Sequence, residues 1–322
     1  MSIYKQKILK LLEQASSAYY SGNPILTDSQ FDRLTEQYNT YTVGATVKNR
    51  PKVKHLVRLY SLDKYYPGEG KPPLADYTGA KVVTPKLDGA AIALVYESGV
   101  LVSAATRGNG LEGMDITDKI SSSNIVPLTI DVNSLVVMGE VVAPKDIANA
   151  RNYAAGALNL NSIEEFLTRT LFFVAYDSSL ESPYYTDNLN KLTALGFHTV
   201  LDSDYCDMFR HDGKVVRVDS SADFLSLGYN TSWPNGAYAI KTRNSEQRTI
   251  LREVVWQTGR SGRVTPVAVF DPIMIDGAQI SRATLNNPAF IEALDLDIGD
   301  FVYVERAGDI IPAVVRSEKI WP

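Results

Sequence analysis

The sequence predicts an α+β protein in three parts. A helical hairpin comes first, then a domain of mainly antiparallel sheets with interspersed helices, and last a small β-barrel. Three observations carry this. Ile8, Leu11, Leu12 and Ala15 recur at helical spacing near the N-terminus. From about Arg50 to Arg243 short apolar strands predominate and long alternating strand-helix-strand units are absent. From about Ser245 to the end, short strands and turns follow one another, which suits a Greek-key barrel of OB type. The boundaries drawn are 1–49, 50–244 and 245–322.

Taken in order, residues from Ser2 to about Tyr41 read as helix, broken at Ser21-Gly22-Asn23-Pro24. Thr27-Asp28-Ser29-Gln30 is a helix start, with Thr27 as N-cap and Gln30 three residues on. Such a hairpin is too small for much stability of its own, so it is expected to pack on the next unit or close over it. Its Tyr19, Tyr20, Asp28, Phe31 and Asp32 also have an ordinary reading as packing and capping. In the middle part strands are expected at 100–105, 135–142, 171–176, 214–218 and 237–242, and helices at 145–151, 163–167 and 185–195. In the last part strands are expected at 253–258, 265–270, 301–306 and 313–315.

The bulk numbers bound the function. A chain of 322 residues with 45% hydrophobic and 21% charged residues can bury a sizeable core in two or three domains. A net charge of -5 offers no global attraction for nucleic acid, so any such contact must come from local basic patches. Cys206 is the single cysteine, which excludes an intramolecular disulfide and a multi-cysteine zinc site within this chain. No apolar run has the length of a membrane span and no secretory leader is apparent, so a cytoplasmic protein without a membrane partner is expected.

The chemistry centres on Thr84-Pro85-Lys86-Leu87-Asp88-Gly89-Ala90-Ala91. It reads as strand, tight turn, strand, with Gly89 supplying backbone freedom. Residues two apart on an extended segment share a face, so Lys86 and Asp88 can address one ligand. A lysine beside a cleft becomes a nucleophile once its amine is deprotonated. Other polar groups punctuate apolar strands: Arg107 in Thr106-Arg107-Gly108-Asn109-Gly110, Glu140 in Met138-Gly139-Glu140-Val141, Asp212-Gly213 opening the strand that carries Arg217, and Lys241. The glycine-rich turn could bring backbone close to a phosphate. Each of these has a structural explanation too: a turn, an ion pair, a solvated strand end.

Together, in this order and spacing, they resemble the NAD-dependent DNA ligases of bacteria and their phages, over nearly the whole chain. The likeness runs through residues 96–108, through Arg151-Asn152-Tyr153-Ala154-Ala155-Gly156, and through Gly259-Arg260-Ser261-Gly262 with Thr265-Pro266-Val267-Ala268. It closes on Arg306-Ala307-Gly308-Asp309-Ile310-Ile311-Pro312, and upstream it includes Ser61-Leu62-Asp63. The N-terminal hairpin, with its Tyr-Tyr and its Asp-x-x-Phe-Asp, is similar to the family's nicotinamide-mononucleotide (NMN) domain.

The resemblance implies an adenylation (nucleotidyltransferase) domain, an OB-fold DNA-binding domain and a three-step adenylyl transfer. Lys86 would attack the α-phosphate of NAD, release NMN and carry AMP covalently. AMP would pass to the 5′-phosphate at a nick in duplex DNA, and the 3′-hydroxyl would displace it. Arg217 and Lys241 would lower the pKa of the Lys86 amine by like-charge repulsion and steady the phosphoryl charge, and Arg107 would belong to the catalytic and cofactor-binding set. Asp88, Glu140 and Asp212 would orient the ribose and hold Mg2+ (or Mn2+) through water. Tyr176 and Val215 would wall the adenine, Ser61 and Leu62 would line its pocket, and Arg151 would contact phosphate. Tyr19, Asp28 and Asp32 would hold NMN, with Tyr20 and Phe31 shaping that site. Arg260, Ser261 and Arg306 would touch the duplex near the nick, through backbone contacts that read geometry rather than sequence.

Departures from the family pattern are specific. Thr84 stands where a glutamate usually recognises the adenine amino group. Met138 and Asn159 stand where arginines are usual, Arg217 replaces a lysine, Phe31 a tyrosine and Asn109 an aspartate. The zinc module, helix-hairpin-helix region and BRCT domain of the family are not found after the barrel, which suggests a minimal ligase or a second chain that supplies them. Two other readings stay open: an ATP- or GTP-using nucleotidyltransferase, and a non-catalytic subunit that holds nicked DNA. The NMN-type hairpin speaks against the first, and intact Lys86 and Asp88 against the second.

Overall fold

A computed structural model describes residues 3–20, 24–38, 51–147, 149–243, 246–258, 264–275, 277–307 and 311–320. They fall into two compact units. One unit contains the two N-terminal helices and the chain from Arg243 onward, and the other runs through the middle of the chain to Thr242.

The chain opens on α1 (Ile3–Tyr20) and α2 (Asp28–Gln37). Thr27 caps α2 as its spacing predicts: its hydroxyl accepts from Gln30 N at 3.2 Å while Gln30 Oε1 accepts from Thr27 N at 2.9 Å. The middle unit continues with β1 (Lys52–Lys54), β2 (Asp63–Tyr65), β3 (Lys81–Leu87), β4 (Ala90–Glu97), β5 (Val100–Thr106), β6 (Glu112–Met114), α3 (Thr117–Ser121) and β7 (Ser134–Val142). It goes on through α4 (Ala150–Leu158), α5 (Ile163–Leu167), β8 (Phe172–Ser178), α6 (Tyr185–Ala194), α7 (Ser203–Cys206), β9 (His211–Val218), α8 (Ser221–Leu227) and β10 (Ala237–Ile240).

Among the described residues these strands make two four-stranded sheets, ordered β5-β4-β7-β8 and β2-β10-β9-β3, and a small β1-β6 ribbon. All neighbours are antiparallel except β2 and β10. Alternation along the first sheet turns Ile92, Leu94, Tyr96, Leu135, Val137 and Val141 into a core with Ala154, Leu158, Phe166 and Leu189 from α4 to α6. The opposite face of the same strands carries Ala91 opposite Glu140 and Ala93 opposite Met138. That face belongs to the site.

The chain ends in β11 (Gln247–Thr258), β12 (Val264–Ile275), β13 (Ala278–Thr284), α9 (Pro288–Ala293), β14 (Phe301–Ala307) and β15 (Ile311–Glu318), and the five strands close a barrel in the order β11-β12-β13-β15-β14. The expected OB-type barrel is therefore present. The sequence pattern misses β13 because only Ile280 and Ala283 of its apolar residues are fully buried.

The helical pair, expected on the unit that follows it in sequence, shares its core with this barrel instead. Ile8, Leu11, Leu12, Ala15, Leu26 and Leu34 share one core with Leu285, Phe290, Val302 and Val314. Gln30, fully buried, donates to Val314 O at 2.7 Å and accepts from the Asn286 amide. Around it Glu246 binds Arg33 at 2.9 Å and Arg316 at 2.5 Å.

One expected helix is displaced. The segment 145–151 is not helical until Ala150, where α4 begins. Pro144 bridges Phe209, Ile147 N closes a turn on Pro144 O, and Asn149 takes a left-handed φ of 53°, so a helix can start only beyond it.

Candidate functional site

Lys86 lies on the β3–β9 ladder, at an irregularity. Pro85 pairs with Lys214 and Leu87 with His211, so Lys86 alone opposes Asp212 and Gly213. Gly213 has a φ of 136° and a Cβ there would meet Ile240 O at 2.1 Å, so both conformation and space demand glycine. The bulge aims the Asp212 carboxylate at Lys86. The Lys86 amine lies 2.9 Å from Oδ1 of Asp212 and donates to Oδ2 at 3.2 Å, and Lys241, just past β10, reaches the same Oδ2 at 3.2 Å.

Gly89 serves a different need from the one expected. Its φ is not positive, but a Cβ at that position would lie 2.3 Å from Val141 O and 2.9 Å from Glu140 Cγ. Close approach of β7, not turn freedom, excludes a side chain there. Beside it Asp88 is anchored by its N–H to Arg210 O at 2.8 Å and pairs with Arg151 at 3.4 Å. Arg107 enters after β5, its N–H bound to Ala91 O at 2.8 Å.

The electrostatics divide the carboxylates. Burial pushes the Glu140 carboxyl up to about 8, against the pull of Lys86 and Arg107. Burial pushes Asp212 up too, but the Lys86 and Lys241 ammonium groups outweigh it and hold the carboxyl at about 2. Burial lowers Arg151, and Asp212 opposes that shift. Tyr176 is raised by burial, then by Glu140. Among the described residues no three His, Cys, Asp or Glu side chains form a group able to hold a metal ion. Asp212 is engaged by two ammonium groups and Asp88 by Arg151, so direct carboxylate ligation of Mg2+ does not fit these side chains as they stand.

The structure brings Lys86, Asp88, Arg107, Glu140, Arg151, Asp212 and Lys241 into one cluster. Thr84 is buried and pairs with Val215 across the ladder, two residues before Lys86 on β3. Ser61 donates its N–H to Ser232 O at 3.1 Å, and Leu62 packs beside Val218 and Phe224. Arg217 is not brought to Lys86. The register sets it opposite Val82, four positions along β3 from Lys86, and it binds Asp177 at 2.5 Å instead. Its guanidinium lies 4.1 Å from the ring centre of Tyr185 and 4.2 Å from that of Phe224. Burial would lower Arg217, but Asp177 outweighs it and the group stays raised.

Other substituted positions have visible partners. Met138 joins Leu59, Ala93 and Tyr176 in an apolar wall. Asn159 caps α4 and donates to Ala155 O at 2.8 Å, and Asn109 Oδ1 accepts from the N–H groups of Leu111 and Glu112 at 3.0 and 2.9 Å. In the other unit, Tyr19 and Asp32 are half-buried on α1 and α2, and Phe31 packs at the edge of the helix-barrel core. The side chains of Tyr20 and Asp28 lie outside the described set. Arg306 is half-buried on β14, and Arg260 and Ser261 fall outside the described residues. No helix among the described residues is long and apolar enough to cross a membrane.

Sequence reasoning missed Asp177. By alternation it should face away from Tyr176, but β8 bulges there: Met138 pairs with Asp177 and Gly139 with Ala175, which leaves Tyr176 as the extra residue. Asp177 therefore shares the face of Met138 and Glu140. Nothing in the local pattern announces such a bulge.

Comparison with known proteins follows the same division of the chain. A family model described as NAD-dependent DNA ligase adenylation domain matches residues 48–210, and one described as NAD-dependent DNA ligase OB-fold domain matches 248–320. A protein named DNA ligase from a Nitratiruptor species is 32% identical over 97% of this chain and 57% of its own length. One of the same name from Aquifex aeolicus is 33% identical over 94% of this chain and 52% of its own. The chain thus spans little more than half of the relatives it matches. A solved structure of a Lig E DNA ligase aligns with 82% of this chain and 100% of its own at 13% identity and a TM-score of 0.46.

Proposed function

The chain belongs to the NAD-dependent DNA ligase family, and from that premise we propose that it seals nicks in duplex DNA with NAD as adenylyl donor. The observation that carries this is the Lys86 amine, seated 2.9 Å from Asp212 in one cluster with Glu140 and Lys241.

The steps assign roles to this chain's residues. Asp212 orients the Lys86 amine toward the α-phosphorus of NAD. The Lys86 ammonium first gives a proton to solvent, the nitrogen-phosphorus bond then forms as the bond to the NMN phosphate breaks, and the second nitrogen proton leaves to solvent. Arg107, Arg151 and Lys241 balance charge on the phosphoryl oxygens. Tyr176, Val215, Thr84, Ser61 and Leu62 line the adenosine site, and Asp88 and Glu140 address the ribose. Tyr19, Asp28 and Asp32 grasp NMN, with Tyr20 and Phe31 shaping that site. The 5′-phosphate at a nick then takes AMP from Lys86, and the adjacent 3′-hydroxyl displaces it. The barrel grips the duplex through Arg260, Ser261 and Arg306, by phosphate contacts that weaken steeply with salt.

Intact mass tests the first step directly. Incubation with NAD should add one AMP, NMN should remove it, and Lys86→Ala should block it. Adenylylation by ATP but not NAD, or nick sealing by the Lys86→Ala protein, overturns the reading.

A further inference from the structure

Thr84 leaves the cleft without a carboxylate at the point where the family places one against the purine. The hydroxyl that remains is short and buried. Another carboxylate nevertheless stands on the wall opposite. The β8 bulge carries Asp177 onto the same face as Met138 and Glu140, beside Tyr176. Arg217 shares a face of the β3–β9 ladder with Val215, the cross-strand partner of Thr84. The 2.5 Å pair between Asp177 and Arg217 therefore spans the two sheets.

Both side chains are held firmly. Asp177 Oδ1 accepts from Ser178 N at 2.9 Å while Oδ2 takes Arg217. Arg217 lies between Tyr185 and Phe224, and Tyr185 is itself fixed by its hydroxyl to Tyr176 O at 2.7 Å. The Nε–H of Arg217 is buried without a hydrogen-bond partner, so the guanidinium is not saturated within the protein. Side-chain exposures of 19% for Arg217 and 23% for Asp177 leave part of each accessible.

A carboxylate only accepts hydrogen bonds and a guanidinium only donates them. Adenine offers a 6-amino donor next to the N1 acceptor, a matching pair. Hypoxanthine offers the reverse, a 6-oxo acceptor next to an N1–H donor. We infer that Asp177, steadied by Arg217, reads the purine six-position in place of the carboxylate that Thr84 lacks, with Arg217 donating to N1. This rests on the reading of the cleft as the NAD site. It makes Asp177 a specificity-determining residue.

The test compares NAD with nicotinamide hypoxanthine dinucleotide as donors, following covalent transfer to Lys86 by intact mass. The wild-type chain should favour NAD by roughly 10- to 100-fold in kcat/KM. An amide can present either a donor or an acceptor, so Asp177→Asn should bring the ratio close to unity, chiefly through KM for NAD. Adding Thr84→Glu to Asp177→Asn should restore the preference. A mere staple between sheets would slow both donors alike, and an unchanged ratio in Asp177→Asn overturns the assignment. Equal use of the two donors by the wild-type chain overturns it without any variant. No covalent product from NAD in the wild-type chain would instead overturn the reading of function, and this assignment with it.

Discussion

The Lys86 amine lies 2.9 Å from an Asp212 carboxylate oxygen, across a bulge in the β3–β9 ladder. Lys241 meets Oδ2, the oxygen to which Lys86 also donates, so one carboxylate positions two ammonium groups at once. Asp212→Asn removes the charge that gathers them while preserving shape. We expect covalent AMP formation to slow on the order of 100-fold, the usual consequence of misplacing a reacting group. Single-turnover intact-mass kinetics would show it, and a rate within a factor of three of wild type would refute it.

Gly89 offers a test of close approach. A methyl group there meets Val141 O at 2.3 Å and Glu140 Cγ at 2.9 Å. Gly89→Ala should push β7 away from the Lys86 turn, at a cost of about 1–3 kcal/mol in stability, and should slow adenylylation as Glu140 shifts. Urea unfolding and the same mass assay measure the two effects.

Gln30 joins α2 to the barrel by its bonds with Val314 O and Asn286. Gln30→Ala strands those buried partners and breaks the reciprocal cap with Thr27. A loss of about 2–3 kcal/mol is expected, read as increased amide exchange in α1 and α2. Unchanged protection of those helices would contradict the docking described above.

Glu246 gives a pH signature. Burial raises its carboxyl, but bonds from Arg316 and the charges of Arg33, Arg316 and Arg243 outweigh that and leave it below its ordinary 4.5. A carboxyl depressed in the folded state stabilises it above the unfolded pKa, and that stabilisation disappears as pH falls through the folded value. Glu246→Gln should therefore lower the melting temperature at pH 7, by a change worth about 1–2 kcal/mol. The difference from wild type should shrink as pH drops below about 4.5 and vanish in stronger acid. A gap that persists at low pH would assign the effect to shape rather than charge.

Much of the site was legible in the chain itself. Lys86-Leu87-Asp88-Gly89, Asp212-Gly213 and Lys241 are each marked by polar residues and glycines at the ends of apolar strands. Periodicity likewise found α1, α2 and most strands, because one face of each element must be apolar to be buried. It failed where burial is thin or backbone is irregular: β13 buries few apolar residues fully, and the left-handed Asn149 delays α4.

By itself, then, the sequence determined the order of helical pair, mixed sheets and barrel, and the residue types that mark the chemistry. Only the tertiary structure decided which of those residues meet. A bulge at Asp212 brings two lysines to one carboxylate, and a bulge at Tyr176 turns Asp177 toward Arg217. The physical reason is that side-chain direction along a strand changes with a single extra residue, and that extra residue is defined by pairing with a distant segment. The same holds for the helical pair on the barrel, where Gln30 was legible as half of a cap while its bonds to Val314 and Asn286 depend on a partner more than 250 positions away.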